Sequence, residues 1–148
     1  MPDIRHRLGI GVPKEQVMDA LTTLDGIASW WTTKLEGDAR PGGKLSFYFG
    51  SPEPSAVMEV QQPASTDAVA WRVMEGPDSW VGTTITFDLR QEETETIVLF
   101  THAGWREPVE FMHHCSTKWG YFILGMKQSL EGGESVAYPK DMALSSWR

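Results

Sequence analysis

The stretch "EFMHHCSTKWGYF", from Glu110 to Phe122, concentrates side chains that could bind a metal or act as a nucleophile. It places His113 and His114 beside Cys115, the only cysteine of the chain. Imidazole and thiolate groups are ligands that zinc prefers, and a thiol beside an imidazole resembles a cysteine nucleophile with its base. The third possibility is the start of a helix with one face toward an apolar interior.

The spacing of these three residues argues against a metal site. Consecutive residues on a helix project about 100° apart, so no two of the three share a face. His102, in a strand candidate, could join only one of them, and two ligands do not make a tetrahedral site. We expect no metal here, and no cofactor elsewhere in the chain.

Cys115 could be activated, since a helix amino-terminus near an imidazole lowers the pKa of a thiol. However, it lies on the same helical stripe as Trp119 and Met126. An unpaired cysteine on such a stripe usually behaves as a small buried hydrophobe. We expect Cys115 to pack or to line a cavity, and His113 and His114 to be solvated or capping residues at the helix start.

His102 is the histidine that strand parity directs inward, together with Val98 and Phe100. An inward imidazole could donate to a ligand carbonyl or act as a general acid or base near neutral pH. It could equally be satisfied by a backbone group or by Glu107 or Glu110 nearby in the sequence. Both interpretations stay open at this point, and we assign no catalytic residue.

The composition of the whole chain limits its partners and its setting. The chain has 148 residues, of which 41% are apolar, and this suits one domain with a real core over residues 1–148. A net charge of -7 argues against nucleic acid as a partner, which needs clustered Lys and Arg. No segment approaches the roughly 20 apolar residues of a membrane helix, and Cys115 has no disulfide partner. We expect a soluble cytoplasmic protein without membrane insertion.

The hydrophobic periodicity predicts the elements that must position these side chains. A strand around "IRHRLGIGV" is followed by two short helices, the second around "GIASWW". From Gly42 the period is two, which predicts five strands in "KLSFYFG", "AVMEVQQ", "AVAWRVMEG", "TTITFDLRQEE" and "ETIVLFTHAG". A helical period then predicts a long helix at about 110–131, followed by a polar tail at 132–148.

Short connections between these strands imply an antiparallel meander, and the long helix is the only large cover for its apolar face. We therefore expect an α+β fold in which a bent sheet wraps around the carboxy-terminal helix. A sheet and a single helix rarely fill all the space between them, so we expect a cavity there. Since residues two apart share a face, the inward side chains are Leu45, Phe47, Phe49, Met58, Val60, Val69, Trp71, Val73, Ile85, Phe87, Leu89, Val98, Phe100 and His102.

Several of the seven tryptophans lie outside the strands. Trp30 and Trp31 are adjacent on a short helix, so we expect one to pack in the core and the other to gate or line the cavity entrance. Trp80 and Trp105 lie beside turns, where an amphipathic indole suits a cavity rim or a dimer contact. The sequence does not choose between these two roles, and a homodimer stays open.

Four segments carry a resemblance to a known family: "ASWWTTKLEGDARPGGKLSFYFG", "WVGTTITFDLR", "LFTHAGW" and "HHCSTKWGYFILGMKQSLEGG". They resemble bacterial homologues of an activator of a heat-shock chaperone ATPase, in the START-like (SRPBCC) superfamily, and the resemblance covers nearly the whole chain. It implies a helix-grip fold, in which a long carboxy-terminal helix lies in a bent sheet around a cavity. Members of the superfamily bind lipids, polyketides, hormones or other apolar ligands, and some are cyclases or hydroxylase subunits.

Three functions remain in competition. We favour a carrier or sensor that holds a small apolar, lipid- or polyketide-like ligand between sheet and helix. The alternatives are a module that regulates a chaperone or another protein partner, and a cyclase- or dehydratase-like enzyme that uses His102. For the favoured function the expected ligand-binding residues are Trp30, Trp31, Phe47, Phe49, Met58, Trp71, Phe87, Phe100, His102, Cys115, Trp119, Phe122 and Met126.

Overall fold

Strands and helices follow one another in the order that the periodicity predicts. In the computed structural model, which describes residues 1–148, strand β1 (Ile4–Ile10) is followed by helices α1 (Lys14–Thr22) and α2 (Leu24–Ala28). Six strands come next: β2 (Leu35–Gly37), β3 (Lys44–Phe47), β4 (Ala56–Val60), β5 (Ala68–Glu75), β6 (Thr84–Gln91) and β7 (Thr96–Ala103). The last helix, α3 (Glu110–Leu130), has 21 residues.

All seven strands form one sheet in the order β1-β7-β6-β5-β4-β3-β2. Every neighbouring pair is antiparallel, and β1 forms one edge of the open sheet by pairing with β7, from Ile4 opposite His102 to Ile10 opposite Thr96. The expected α+β helix-grip fold is therefore confirmed, as are the two short helices after the first strand.

The short strand β2 is the element that the sequence did not predict. Its three residues show no hydrophobic alternation, and Gly37 weakens any strand signal because glycine is disfavoured in strands. The strand forms through its partner, since Leu35 pairs with Phe47 and Gly37 with Leu45. Gly37 has a φ of 126°, and a Cβ there would collide with the backbone of Lys44, so the close approach needs glycine.

The core lies between the concave face of the sheet and α3. Every side chain predicted to point inward from the sheet is buried, except Phe49, which is half-buried. The apolar stripe of α3 packs against this face through Cys115, Trp119, Phe122 and Met126, all of them buried. Aromatic rings supply much of this interior, and each ring buries a large apolar area, roughly 150 to 250 Å².

The carboxy-terminal tail docks on the rest of the chain, a point that the sequence left open. Near its start, the Ser135 hydroxyl donates to the Ser29 carbonyl at 2.7 Å. The Tyr138 amide then donates to the Trp31 carbonyl at 2.9 Å, and the Tyr138 carbonyl accepts from the Thr33 amide at 3.1 Å. The tail therefore holds the segment after α2 against the sheet edge.

Candidate functional site

An apolar cavity of about 160 Å³ opens at the amino-terminal end of α3. The first turns of α3 and the connections after β3 and β5 bound it. Six aromatic side chains line this cavity: Trp31, Phe49, Trp80, Phe111, Trp119 and Phe122. The other lining residues are Ser55, Ala56, Pro77, His114, Cys115 and Lys118.

The contribution of α3 to the cavity follows from helical spacing. Phe111, Cys115, Lys118 and Phe122 are three or four residues apart, so they lie along one side of the helix. The stripe predicted from the sequence includes Cys115 and Phe122 but not the edge of the helix that Phe111 and Lys118 complete. The signal for it was present in the i, i+4, i+7 and i+11 spacing.

His114 corrects one expectation about the helix start. It is half-buried and lines the cavity, whereas His113 is exposed. The His114 ring stacks on Phe111 with ring centroids 5.8 Å apart. Burial, and next the positive charge of Lys118, lower the pKa of His114 below its ordinary value. His114 therefore packs at the cavity wall, and it does not cap the helix, whose N-cap residue is Val109.

Cys115 is a buried residue of the cavity wall and not an activated nucleophile. Its side chain is 3% exposed, and the Trp80 indole N–H donates to its Sγ at 3.4 Å. Burial raises the pKa of the thiol to about 12, although the hydrogen bond from Trp80 acts in the opposite direction. Since a nucleophilic cysteine needs its thiolate form near neutral pH, this thiol is unreactive.

Alkylation measures this property directly. We expect the native chain to react with iodoacetamide at about pH 8 more than about a hundredfold more slowly than the same chain in concentrated guanidinium chloride. Mass spectrometry of quenched samples follows the single thiol, and the unfolded chain is the matched control because it differs only in folding. Comparable rates in the two states would show that Cys115 is accessible and ionised.

His102 lies in the core with both ring nitrogens bonded. It is completely buried, and its Nε2 lies 2.8 Å from the Thr83 hydroxyl. That hydroxyl donates to the Trp80 carbonyl, so it accepts from Nε2–H, while the Trp119 indole N–H donates to Nδ1 at 3.1 Å. The expectation that a backbone group, Glu107 or Glu110 satisfies this imidazole is wrong, because side chains from the connection before β6 and from α3 do so.

The electrostatics of His102 agree with a neutral imidazole that carries its proton on Nε2. Burial lowers its pKa to about 3, and the more distant charge of Asp3 raises it only in part. His102 does not line the cavity. With both nitrogens occupied inside the core, this side chain has no free donor or acceptor for a ligand.

The paired tryptophans lie after α2 rather than on it. The helix ends at Ala28, and the rings of Trp30 and Trp31 stack on each other with centroids 5.9 Å apart. Both are buried, which corrects the argument that adjacent residues must face different ways. Trp30 packs in the core, where its indole N–H donates to the Ala20 carbonyl at 2.8 Å, and Trp31 lines the cavity.

The other two tryptophans beside turns take different positions. Trp80 is half-buried and lines the cavity. Trp105 is completely buried, with its ring centroid 5.0 Å from that of His102. Trp105 is therefore part of the core, and the expectation of a rim or dimer-contact position is wrong for it.

The structure divides the thirteen expected ligand-binding residues into two groups. Five line the cavity: Trp31, Phe49, Cys115, Trp119 and Phe122. Eight lie in the packed core away from it: Trp30, Phe47, Met58, Trp71, Phe87, Phe100, His102 and Met126. Ligand contact by any of the thirteen stays a prediction.

The structure contains neither a cluster of metal-binding side chains nor a helix that could span a membrane. No three His, Cys, Asp or Glu side chains come together in a group that could hold a metal ion. None of the helices combines the length and hydropathy that crossing a bilayer requires.

Comparisons with known proteins agree on one family and one fold. A family model described as "Activator of Hsp90 ATPase homolog 1-like protein" matches residues 11–131. The solution structure of the Aha1 dimer from Colwellia psychrerythraea is similar, with 39% identity, a TM-score of 0.80, and coverage of 90% of this chain and 98% of that chain. No curated protein matches.

Two more distant structures have the same fold. CalU16 from Micromonospora echinospora is 18% identical with a TM-score of 0.74, and the match covers 97% of this chain and 74% of that chain. SSP2350 from Staphylococcus saprophyticus is also 18% identical with a TM-score of 0.74, over 92% of this chain and 98% of that chain. At these identities the likeness concerns the fold alone.

Proposed function

The chain belongs to the family of Activator of Hsp90 ATPase homolog 1-like proteins, and from this premise we propose that it binds a small apolar ligand in the cavity beside α3. Membership in the family confirms the resemblance indicated by the sequence motifs. The observation that carries the proposal is the aromatic cavity itself, in which six rings surround about 160 Å³. Burying apolar ligand surface against such walls is favourable by roughly 25 cal/mol per Å².

The ionisable groups of the cavity favour binding over catalysis. Only His114, Cys115 and Lys118 among its lining residues can titrate. The pKa of Cys115 is raised to about 12 and that of His114 is lowered, both chiefly by burial. General acid–base work needs a group whose pKa lies near the working pH and a positioned partner. Cys115 does not meet that need, and His102 lies outside the cavity.

The size of the cavity limits the ligand. An engineered apolar cavity of about 150 Å³ holds one benzene, whereas sites for larger ligands measure about 300 to 1,000 Å³. In this conformation the cavity therefore suits a single ring or a short chain. A lipid- or polyketide-sized ligand would bind only if the tail or the connection that carries Trp80 moved outward.

The relative with 39% identity is described as a dimer, and we extend a homodimer in a cytoplasmic setting to this chain as part of the proposal. Regulation of a chaperone rests on the family's name alone. Large exposed apolar side chains lie on separate elements, such as Leu99 on β7 and Leu124 on α3. These two side chains do not define a surface for such a partner.

Native mass spectrometry of freshly purified protein is the first test. We expect a dimer mass and, on each chain, a small apolar adduct that denaturing extraction releases and identifies. If the protein is purified without a ligand, we expect saturable shifts of the Trp80 and Trp119 indole N–H resonances when toluene is titrated in.

A pair of variants on β4 locates the binding. Ala56 lines the cavity, and Val57 points to the other face of the same strand. Ala56→Phe should fill the cavity and abolish the adduct or the toluene shifts, whereas Val57→Phe should retain them. Absence of both adduct and saturable shifts in the wild-type chain would end the proposal, and so would full binding by folded Ala56→Phe.

A further inference from the structure

The cavity contains one charged side chain, Lys118, and the tail of the same chain neutralises it. Lys118 Nζ lies 2.6 Å from Asp141 Oδ2 and donates to the Met142 carbonyl at 2.8 Å. The two side chains are largely buried, with 15% of Lys118 and 5% of Asp141 exposed. An ammonium has three N–H donors; two are used by Asp141 and Met142, and Nζ also lies 5.1 Å from the ring centroid of Phe122, a residue of the cavity wall.

Asp141 satisfies Lys118 incompletely. Its second carboxylate oxygen, Oδ1, is buried and has no hydrogen-bond partner. A buried charged oxygen without a partner retains its full desolvation penalty. The ion pair between Lys118 and Asp141 is therefore weaker than its short distance suggests. Another carboxylate can replace Asp141 on Lys118 with only a small net loss of free energy.

The tail also touches other residues of the cavity wall. The Trp147 ring packs against Phe111 and His114, with centroids 6.1 Å and 5.8 Å apart. The Tyr138 ring lies 5.4 Å from that of Phe49. Trp147 is half-exposed, at 51%, so its contact is a weak part of the docked tail. Displacing Asp141 would thus loosen a segment that packs against residues of the cavity wall at two places.

Resting on the proposed function, we infer that the cavity takes an aromatic monocarboxylate, whose ring lies among the aromatic side chains and whose carboxylate replaces Asp141 on Lys118. The Asp141 carboxylate already shows that a carboxylate fits against Nζ. A volume of about 160 Å³ admits one ring. The tail then acts as a built-in competitor, and binding exchanges one carboxylate on Lys118 for another.

Benzoate and benzamide test the charge, because they share one ring and differ in the acid group. In NMR titrations near neutral pH we expect benzoate to bind the wild-type chain more tightly than benzamide. Benzoate should also shift amide resonances of the tail from Tyr138 to Trp147. Lys118→Met should remove the preference for benzoate, because it removes the positive charge and keeps the apolar stem.

Asp141→Asn tests the competition. Removing the competing carboxylate should tighten benzoate about tenfold, the size expected for one charge-assisted hydrogen bond, and leave benzamide unchanged within about twofold. The matched control is Asp88→Asn, which removes the same charge at an exposed position on the other face of the sheet. This control should leave both affinities unchanged.

The outcomes separate this inference from the function on which it rests. If benzamide binds the wild-type cavity as tightly as benzoate, the acid preference is wrong while apolar binding stands. If neither compound binds and native mass spectrometry finds no adduct, both proposals fail. Should Lys118→Met not fold, Asp141→Asn decides alone, because unchanged or weaker benzoate binding by that folded variant overturns the inference.

Discussion

Lowering the pH from about 7 to about 4.5 should reduce the free energy of unfolding by about 2 to 3 kcal/mol through His102 alone. In the folded chain, burial lowers the pKa of His102 from 6.5 to about 3. The unfolded chain therefore takes up a proton below about pH 6.5, whereas the folded chain takes it up only near pH 3. Stability is fully present above about pH 6.5 and is lost progressively as the pH falls toward 3.

Urea unfolding of the wild type and His102→Gln, at several pH values between about 7 and 4.5, measures this effect. Glutamine does not titrate, so the variant should lose this part of the pH dependence, although it is also less stable at pH 7. Carboxylates and His114 titrate in both proteins, and the difference between them isolates His102. His113→Gln, the same substitution at an exposed position, is the control for exchanging an imidazole for an amide. Equal slopes for wild type and His102→Gln would contradict a buried, neutral imidazole.

The sheet and the long helix could be predicted because their signals are local. Alternation along β6 places Ile85 and Phe87 on one face, and both are completely buried. The 3.6-residue period does the same for Cys115 and Trp119 on α3. These patterns follow from the geometry of the backbone, so they can be predicted without knowing how the side chains pack.

The position of the cavity could not be predicted in this way. It depends on how far neighbouring rings fill the space between sheet and helix, which no period records. Trp71 and Phe87 fill the middle of that space edge to face, with centroids 5.3 Å apart, so the cavity remains only at the end of α3. The alternation of side chains along the strands thus predicted which residues lie in the interior. It overestimated how many of them line an open cavity.

The partners of His102 and Lys118 were missed for a related reason. His102 meets Thr83 from the preceding strand connection, and Lys118 meets Asp141, 23 residues farther along the chain. Such pairs arise from strand register and from the path of the tail, both of which are set by tertiary packing. The sequence shows a threonine before β6 and an aspartate in a polar tail, and neither position has a distinctive pattern.

Trp31→Ala should destabilise the chain by about 4 kcal/mol, within the range for removing a large aromatic side chain from a core. Trp31 is 3% exposed. Its ring stacks on Trp30 and Trp71 with centroids 5.9 Å and 6.1 Å away, and it contacts Phe47 at 4.4 Å and Trp119 at 5.0 Å. Removing it leaves these four rings, and that of Phe49 at 5.7 Å, facing an empty space that the surrounding structure only partly refills.

Trp147→Ala is the matched control, because it removes the same side chain from a position that is 51% exposed. We expect it to change the free energy of unfolding by less than about 1 kcal/mol.

The comparison also decides what Trp31 does at the cavity. If Trp31 were a mobile gate, its ring would leave its position with only a small loss of stability. Trp31→Ala would then lower the free energy of unfolding only slightly and would bind benzamide more readily. If Trp31 is instead a fixed part of the cavity wall, continuous with the core, Trp31→Ala should lose much of its stability and enlarge the cavity. The contacts of Trp31 with four buried rings favour this second result.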